Sequence, residues 1–178
     1  ALTRAFNALE RLDILVNNAG TSIPGGILEA RVEDLDIMIN LNIRAAFLAV
    51  QAAAQIMDRQ GGGVIINLSS TFGKVGRAGS SIYSSSKHFI EGLTKSAGVE
   101  LAPRNIRVVA VGPTAIETPM LTERLKDPKV AASLLGGIPM GRLGQVGDVL
   151  GAVVFLASPA AALITGTTIM VDGGWTAP

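Results

Sequence analysis

Short apolar runs alternate along the chain with longer stretches that have helical spacing or composition. The runs are largely hydrophobic and end at small, turn-forming residues, which is typical of strands buried on both faces of a parallel sheet. They cover residues 14–16, 64–68, 106–111 and 168–171. Helices are predicted over 1–9, 34–60, 83–101 and 148–157, with two short helical pieces between 117 and 137. This alternation predicts one α/β domain over residues 1–178, with crossover helices between parallel strands.

Two apolar stretches bear on membranes and partners. Residues 149–171 carry no charge, but Pro159 and Gly166 would break a membrane-spanning helix, so a buried helix, a turn and a strand are predicted instead. Residues 37–57 are apolar on nearly all sides, which is typical of a helix that is buried all round. One side must contact the sheet, and the other is expected to contact a second subunit. The protein is therefore predicted to be a homo-oligomer that does not enter a membrane.

Composition narrows the possible chemistry. The chain has 178 residues, a net charge of +1 and 4% aromatic residues without a basic stripe, so nucleic acid is not expected as a partner. It has no cysteine and one histidine, which excludes cysteine chemistry and disfavours a histidine metal site. That histidine, His88, is predicted to point away from the face of Tyr83 and to have no catalytic role. Residues 1–11 show no secretory signal, so a cytoplasmic protein is expected.

Polar side chains gather where the predicted strands end, which is where open α/β sheets bind ligands. Tyr83 and Lys87 are four residues apart on one helix and share a face. An ammonium beside a phenol lowers the phenol's pKa from about 10, which would let Tyr83 exchange a proton, although the two could also be a simple surface pair. Ser70 ends a strand, either as a turn residue or as a hydrogen-bond donor to a substrate carbonyl. Asn42 lies within the apolar helix and must bond either the backbone or a site.

Several short motifs follow one another along the chain: Asn17-Asn18-Ala19-Gly20, Asn42-Ile43-Arg44, Ile66-Asn67-Leu68-Ser69-Ser70, Tyr83-Ser84-Ser85-Ser86-Lys87, Ile106-Arg107-Val108, Gly112-Pro113, Glu117-Thr118-Pro119-Met120 and Val171-Asp172-Gly173-Gly174. In this order and spacing they resemble the classical short-chain dehydrogenase/reductase family over essentially the whole chain. The resemblance implies a Rossmann-like, doubly wound parallel sheet. It also implies an NAD- or NADP-dependent oxidoreductase that acts on a secondary alcohol or ketone without a metal, similar to 3-oxoacyl-carrier-protein reductases or sugar dehydrogenases.

The resemblance further implies a role for each site residue. Tyr83 would be the general acid/base, Lys87 would lower its pKa and hold the nicotinamide ribose, Ser70 would bond the carbonyl, and Asn42 would anchor a water that links Lys87 to solvent. The remaining cofactor contacts would come from Asn18, Ala19, Gly20, Pro113, Thr114, Ile116 and Thr118. Residues 120–140 would form a substrate lid. Subunits would pack as a four-helix bundle in a dimer or tetramer.

The chain departs from the family pattern in two places. Thr114 stands where the family usually has glycine. The first strand resembles the family's fourth, so the first three strands and the glycine-rich phosphate loop, about 60–70 residues, are expected to be missing together with the residue that selects NAD or NADP. A fragment with a bare, hydrophobic sheet edge is therefore expected. The alternative is a catalytically inactive remnant that acts as an oligomerisation module. The joint presence of Asn42, Ser70, Tyr83 and Lys87 argues against that alternative.

Overall fold

Four parallel strands form one sheet in the order β1-β2-β3-β4. The computed structural model describes residue 8 and residues 11–177, except for the side chains of residues 120 and 124. The strands are β1 Ile14–Asn17, β2 Gly63–Leu68, β3 Ile106–Pro113 and β4 Thr168–Val171. All four predicted strands are confirmed. The helix predicted over 1–9 lies outside the described residues, apart from residue 8.

The end of β3 differs from the sequence-based expectation. A turn is predicted at Gly112 and Pro113, but β3 continues through both residues because β4 pairs with this half of the strand. The ladder extends to the next residue, where the Thr114 amide donates a 3.1 Å hydrogen bond to the Val171 carbonyl. Pro113 has no amide hydrogen to contribute, which suits a position at the end of a strand. The longer strand carries the segment after residue 113 to the sheet edge where the polar residues gather.

Six α-helices and three short 3₁₀ turns connect the strands. The helices are α1 Val32–Met38, α2 Ala46–Gln60, α3 Ser81–Leu101, α4 Pro119–Leu125, α5 Pro128–Leu135 and α6 Val146–Ala157, and the turns are Thr71–Gly73, Ala102–Arg104 and Pro159–Ala161. The two short helical pieces predicted between 117 and 137 are confirmed as α4 and α5, and Pro128 begins the second of them. The last helix begins two residues earlier than predicted, and Gln145 is its N-cap. Asp148 instead closes a capping box by accepting a 2.7 Å hydrogen bond from the Gln145 amide.

The long helix predicted over 34–60 is not a continuous α-helix. A π-helical segment, Ile39–Ala45, separates α1 from α2. Its centre holds Asn42, which is 2% exposed. Because a buried amide must be hydrogen-bonded, the wider turn is where this polar side chain reaches partners outside the helix. A pattern of apolar positions carries no signal for such a turn.

Helices cover both faces of the sheet. On one face, α2 and α3 pack over β2 and β3 through a core cluster that includes Val50, Ala53, Met57 and Ala97. On the other face, α6 packs through Leu156 against a second cluster. This arrangement is the Rossmann-like, doubly wound sheet that the sequence predicts.

Two apolar regions differ in how far the rest of the protein covers them. Among the described residues β1 pairs only with β2, and its Ile14 and Val16 side chains are 45% and 43% exposed. The stretch Val32–Gln60 is long and apolar enough, by length and composition alone, to cross a membrane. Its buried residues include Val50 and Met57, which pack against the sheet in the manner of a core helix.

Candidate active site

The carboxyl ends of β2 and β3 meet the first turn of α3 around a cavity of about 180 Å³. Tyr83 lies near the start of α3, and Ser70 lies just after β2. The segment after β3 completes the wall on another side. The structure thereby brings together predicted site residues from three separate parts of the chain, namely Ser70, Tyr83, Thr114, Ile116 and Thr118.

Tyr83 and Lys87 lie close together, as their spacing predicts. The Lys87 Nζ atom is 5.6 Å from the centre of the Tyr83 ring and donates a 2.8 Å hydrogen bond to the Leu68 carbonyl at the end of β2. Burial lowers the pKa of Lys87 from 10.5 to about 8. Below pH 8 the folded protein therefore holds a charged ammonium beside the phenol, and opposite charge at this distance favours a phenolate. Between pH 8 and 10.5 the unfolded chain binds more protons than the folded protein, so this group makes stability rise with pH across that window.

Ser70 is held rigidly at the end of β2. It is 8% exposed and forms the N-cap of the turn Thr71–Gly73, where its Oγ accepts a 3.2 Å hydrogen bond from the Phe72 amide. A hydroxyl that accepts in this way still carries one hydrogen to donate. The turn role and the site role, which the sequence leaves open, are therefore compatible.

Asn42 is a structural anchor between the segment after β1 and helix α3. Its Oδ1 accepts from the Thr21 amide at 2.9 Å, and its Nδ2 donates to the Thr21 carbonyl at 2.8 Å and to Ser86 Oγ at 3.1 Å. Ser86 precedes Lys87 on α3, so Asn42 joins the segment after β1 to the helix that carries Tyr83 and Lys87. The side chain bonds the backbone, which is one of the two alternatives that the sequence leaves open.

The remaining predicted cofactor residues lie at the same edge of the sheet but outside the cavity lining. Asn18, Ala19 and Gly20 follow β1, and Asn18 and Ala19 are exposed. A Cβ added at Gly20 would lie 3.3 Å from Asn42 Oδ1, so this glycine allows the chain to pass close over Asn42. Ser22, further along the same segment, lines the cavity. Pro113 ends β3 directly before the lining residue Thr114.

An aromatic cluster that was not predicted from the sequence forms one wall of the cavity. The centre of the Phe72 ring lies 6.3 Å from that of the Tyr83 ring and 5.9 Å from that of the Trp175 ring. In both pairs the ring planes are nearly perpendicular. The Arg77 guanidinium lies 5.4 Å from the centre of the Phe72 ring and 5.9 Å from that of Trp175. Such contacts fix ring orientations. One feature of the sequence could have indicated this wall: the chain's only tyrosine and only tryptophan both follow glycine-rich segments.

The predicted substrate lid docks on this wall. Arg77 Nη2 donates a 3.0 Å hydrogen bond to Ser133 Oγ of α5. A Cβ at Gly137 would lie 2.5 Å from the Trp175 ring, so the glycine lets the lid lie flat against the indole. Leu121 of α4 and Leu134 of α5 line the cavity. The segment predicted to be a lid thus contributes apolar side chains to the cavity that Tyr83 lines.

Other candidate groups lie apart from this cavity. His88 is exposed, and its Nδ1 is 2.9 Å from the Ser84 carbonyl oxygen, one turn earlier on α3. Within the part of the chain that the structure describes, no group of three or more histidine, aspartate or glutamate residues could hold a metal ion. The cavity lining itself offers hydroxyl groups and the phenol of Tyr83, and the Lys87 ammonium lies 5.6 Å from the centre of that phenol ring.

Comparison with known proteins identifies the family. A family model described as enoyl-(acyl carrier protein) reductase matches residues 1–176. The 3-oxoacyl-(acyl-carrier-protein) reductase of Thermotoga maritima is 42% identical over 164 residues, which is 92% of this chain and 66% of that protein. The cyclopentanol dehydrogenase of a Comamonas species is 40% identical over 168 residues, 94% of this chain and 67% of that protein. The chain belongs to the short-chain dehydrogenase/reductase family.

Solved structures agree with this assignment. A gluconate 5-dehydrogenase from Burkholderia cenocepacia, in complex with NADP and tartrate, superposes with a TM-score of 0.96 at 30% identity, over 99% of this chain and 71% of that one. The chain spans about two thirds of the length of the first curated relatives that it matches. The predicted family and fold class are confirmed.

Proposed function

We propose that the protein is an NAD- or NADP-dependent oxidoreductase that interconverts a secondary alcohol and a ketone. The observation that carries this proposal is the shared cavity of Ser70 and Tyr83, with the Lys87 ammonium 5.6 Å from the Tyr83 ring. The relatives support the same reaction class, since they are named as reductases and dehydrogenases. The 3-oxoacyl, cyclopentanol and gluconate chemistries of these relatives are all candidate substrate classes.

The residues present fit the nicotinamide end of a dinucleotide. They surround the carboxyl ends of three parallel strands, where this fold binds its ligands. The Lys87 ammonium has three hydrogens, of which one is donated to Leu68, so others can reach ribose hydroxyls. The carboxamide would be held by the Ile116 backbone and the Thr118 hydroxyl. The other contacts would come from Tyr83, Pro113, Thr114 and the backbone of Asn18, Ala19 and Gly20.

The bound nicotinamide would supply or accept the hydride, and the protein's own residues would manage the proton. Tyr83 would donate its hydroxyl proton to the carbonyl oxygen in reduction and remove it in oxidation. Ser70 would donate a hydrogen bond to the same oxygen and stabilise the charge that develops there. Lys87 would stabilise the phenolate, and Asn42 would hold a water that relays a proton from Lys87 to solvent.

Cofactor titration tests the proposal. The full-length protein is expected to bind NADH or NADPH with an affinity of about 1 μM to 1 mM, the usual span of enzyme KM values. Nicotinamide fluorescence and thermal shift report the binding. Failure of the full-length protein to bind either dinucleotide would remove the oxidoreductase assignment.

We also propose that a second copy of the chain covers the outer face of α2 and α3. A groove of about 580 Å³ runs between these helices, lined by Phe47, Val50, Ala54, Leu93 and Ala97. Phe47 and Leu48 are 45% and 43% exposed, which is unusual for large apolar side chains clustered on one face. Because Asn42, Ser70, Tyr83 and Lys87 are all present, we propose that this surface belongs to an active oligomeric enzyme. They argue against an inactive oligomerisation module.

Light scattering tests the second-copy interface. Phe47→Glu places a charge in the groove and is expected to halve the particle mass or reduce it further. Val99→Glu places the same charge at an exposed valine of α3 outside the groove lining and is expected to leave the mass unchanged. A monomeric parent protein would contradict the proposal.

The predictions of a cytoplasmic location and of one domain over residues 1–178 also remain proposals.

A further inference from the structure

Glu91 is a buried carboxylate that the proposed reaction does not use. It lies on α3 one turn after Lys87 and is 5% exposed. Its Oε1 accepts a 2.5 Å hydrogen bond from Ser69 Oγ, and its Oε2 accepts from Lys74 Nζ and, at 2.7 Å, from Thr168 Oγ1. A buried carboxylate is costly unless it is paired in this way. The three partners come from the loop after β2 and from the start of β4.

Two of these partners flank Ser70. Ser69 precedes it, and Lys74 follows the turn Thr71–Gly73 that Ser70 caps. Glu91 therefore ties both ends of the Ser70 turn to α3. Gly73 closes the contact, because a Cβ there would lie 2.6 Å from Ser69 Oγ and 3.1 Å from the Lys87 carbonyl oxygen. The hydrogen bonds of Glu91 thus fix the distance between the Ser70 turn and α3, the helix that carries Tyr83.

We propose that Glu91 is a positioning residue, which clamps the Ser70 turn to α3 and so holds the Ser70 hydroxyl in register with the Tyr83 hydroxyl. This inference rests on the proposed oxidoreductase function. A hydroxyl must lie within hydrogen-bond reach of the developing oxyanion, and small misplacements of catalytic groups lower rates strongly. The third bond of Glu91, to Thr168, ties the same carboxylate to β4 rather than to the Ser70 turn.

Glu91→Gln in the full-length protein tests the clamp. Loss of the charge releases Lys74, and kcat for carbonyl reduction is expected to fall about 10- to 100-fold. The dissociation constant for NADPH or NADH is expected to change less than about twofold, since Glu91 contacts no cofactor-binding residue proposed above except through the helix. Ser69→Ala, which removes the 2.5 Å bond without touching the buried charge, serves if Glu91→Gln does not fold.

The Ser70→Ala background separates positioning from stability. If Glu91 acts through the Ser70 hydroxyl, Glu91→Gln is expected to lower kcat less than about threefold once that hydroxyl is gone. Thr168→Val is the matched control: it removes a bond to the same carboxylate and is expected to lower the melting temperature while leaving kcat unchanged. An equal loss of kcat in both backgrounds, or from Thr168→Val, would overturn the positioning role. Unaltered dinucleotide binding in these variants keeps that result distinct from failure of the proposed function.

Discussion

Replacing Tyr83 by phenylalanine is expected to lower kcat of the full-length protein about 100- to 10,000-fold, the usual contribution of a general acid or base. The substitution removes one oxygen and keeps the ring. The edge contact with Phe72 and the 5.6 Å approach of the Lys87 ammonium to the ring centre both stay available. Folding is therefore expected to change little, and the loss of rate should fall on the chemical step.

Ser84→Ala is the matched control for this experiment. Ser84 is the next residue of α3, and its hydroxyl is buried without a hydrogen-bond partner among the described residues. Its removal deletes one oxygen from the same helical turn, so kcat should stay within about twofold and stability should not fall. Steady-state rates measured with both variants and a common substrate give the comparison. A Tyr83→Phe enzyme with the turnover of the Ser84→Ala enzyme would exclude Tyr83 as the proton donor.

The regular parts of this structure were predictable because they depend on periodicity. The four strands appear as apolar runs, and the spacing of Tyr83 and Lys87 places both on one face of a helix. Where local pattern competes with tertiary contacts, the prediction fails. β3 extends beyond its apolar run, as far as Pro113, because β4 pairs with it there. The π-helical segment forms where Asn42 bonds Thr21, which is distant in sequence.

The walls of the site were not predictable for the same reason. Phe72, Arg77 and Trp175 come together only when the end of the chain folds back over the loop after β2. The role of Glu91 is likewise invisible in a helical pattern, where one carboxylate among apolar residues reads as solvent-exposed. Its three partners are 17, 22 and 77 residues away in sequence. Motif order nevertheless located Ser70, Tyr83 and the segment after β3, because parallel strands bring their carboxyl ends to one edge.

Gly98→Ala is expected to destabilise the protein by about 3 kcal/mol, at the upper end of the cost of overpacking a core. Gly98 lies on the buried face of α3. A Cβ there would lie 2.5 Å from the Gly166 Cα atom and 2.6 Å from its nitrogen, so it would meet backbone that has no side chain to rotate away. Relief would require the segment before β4 to move.

That movement would break the contacts that hold this segment to β3. The Gly166 amide donates a 2.7 Å hydrogen bond to the Val108 carbonyl, and Thr165 Oγ1 accepts a 3.0 Å hydrogen bond from the Val108 amide. Gly166 itself has a φ of 67°, a left-handed conformation that glycine adopts without steric cost. Both the close contact and its relief are therefore costly.

Gly92→Ala provides the opposite expectation on the same helix. A Cβ at Gly92 would meet nothing within 4 Å, so alanine should stabilise α3 by about 0.5–1 kcal/mol through its higher helix propensity. The two variants make the same chemical change. Urea unfolding should give a free energy of unfolding below that of the parent for Gly98→Ala and above it for Gly92→Ala, a difference of about 4 kcal/mol between the variants. Equal unfolding midpoints would show that α3 does not press against the segment before β4. That packing carries the helix of Tyr83 and Lys87, so the same measurement also reports how firmly the sheet holds the catalytic helix in place.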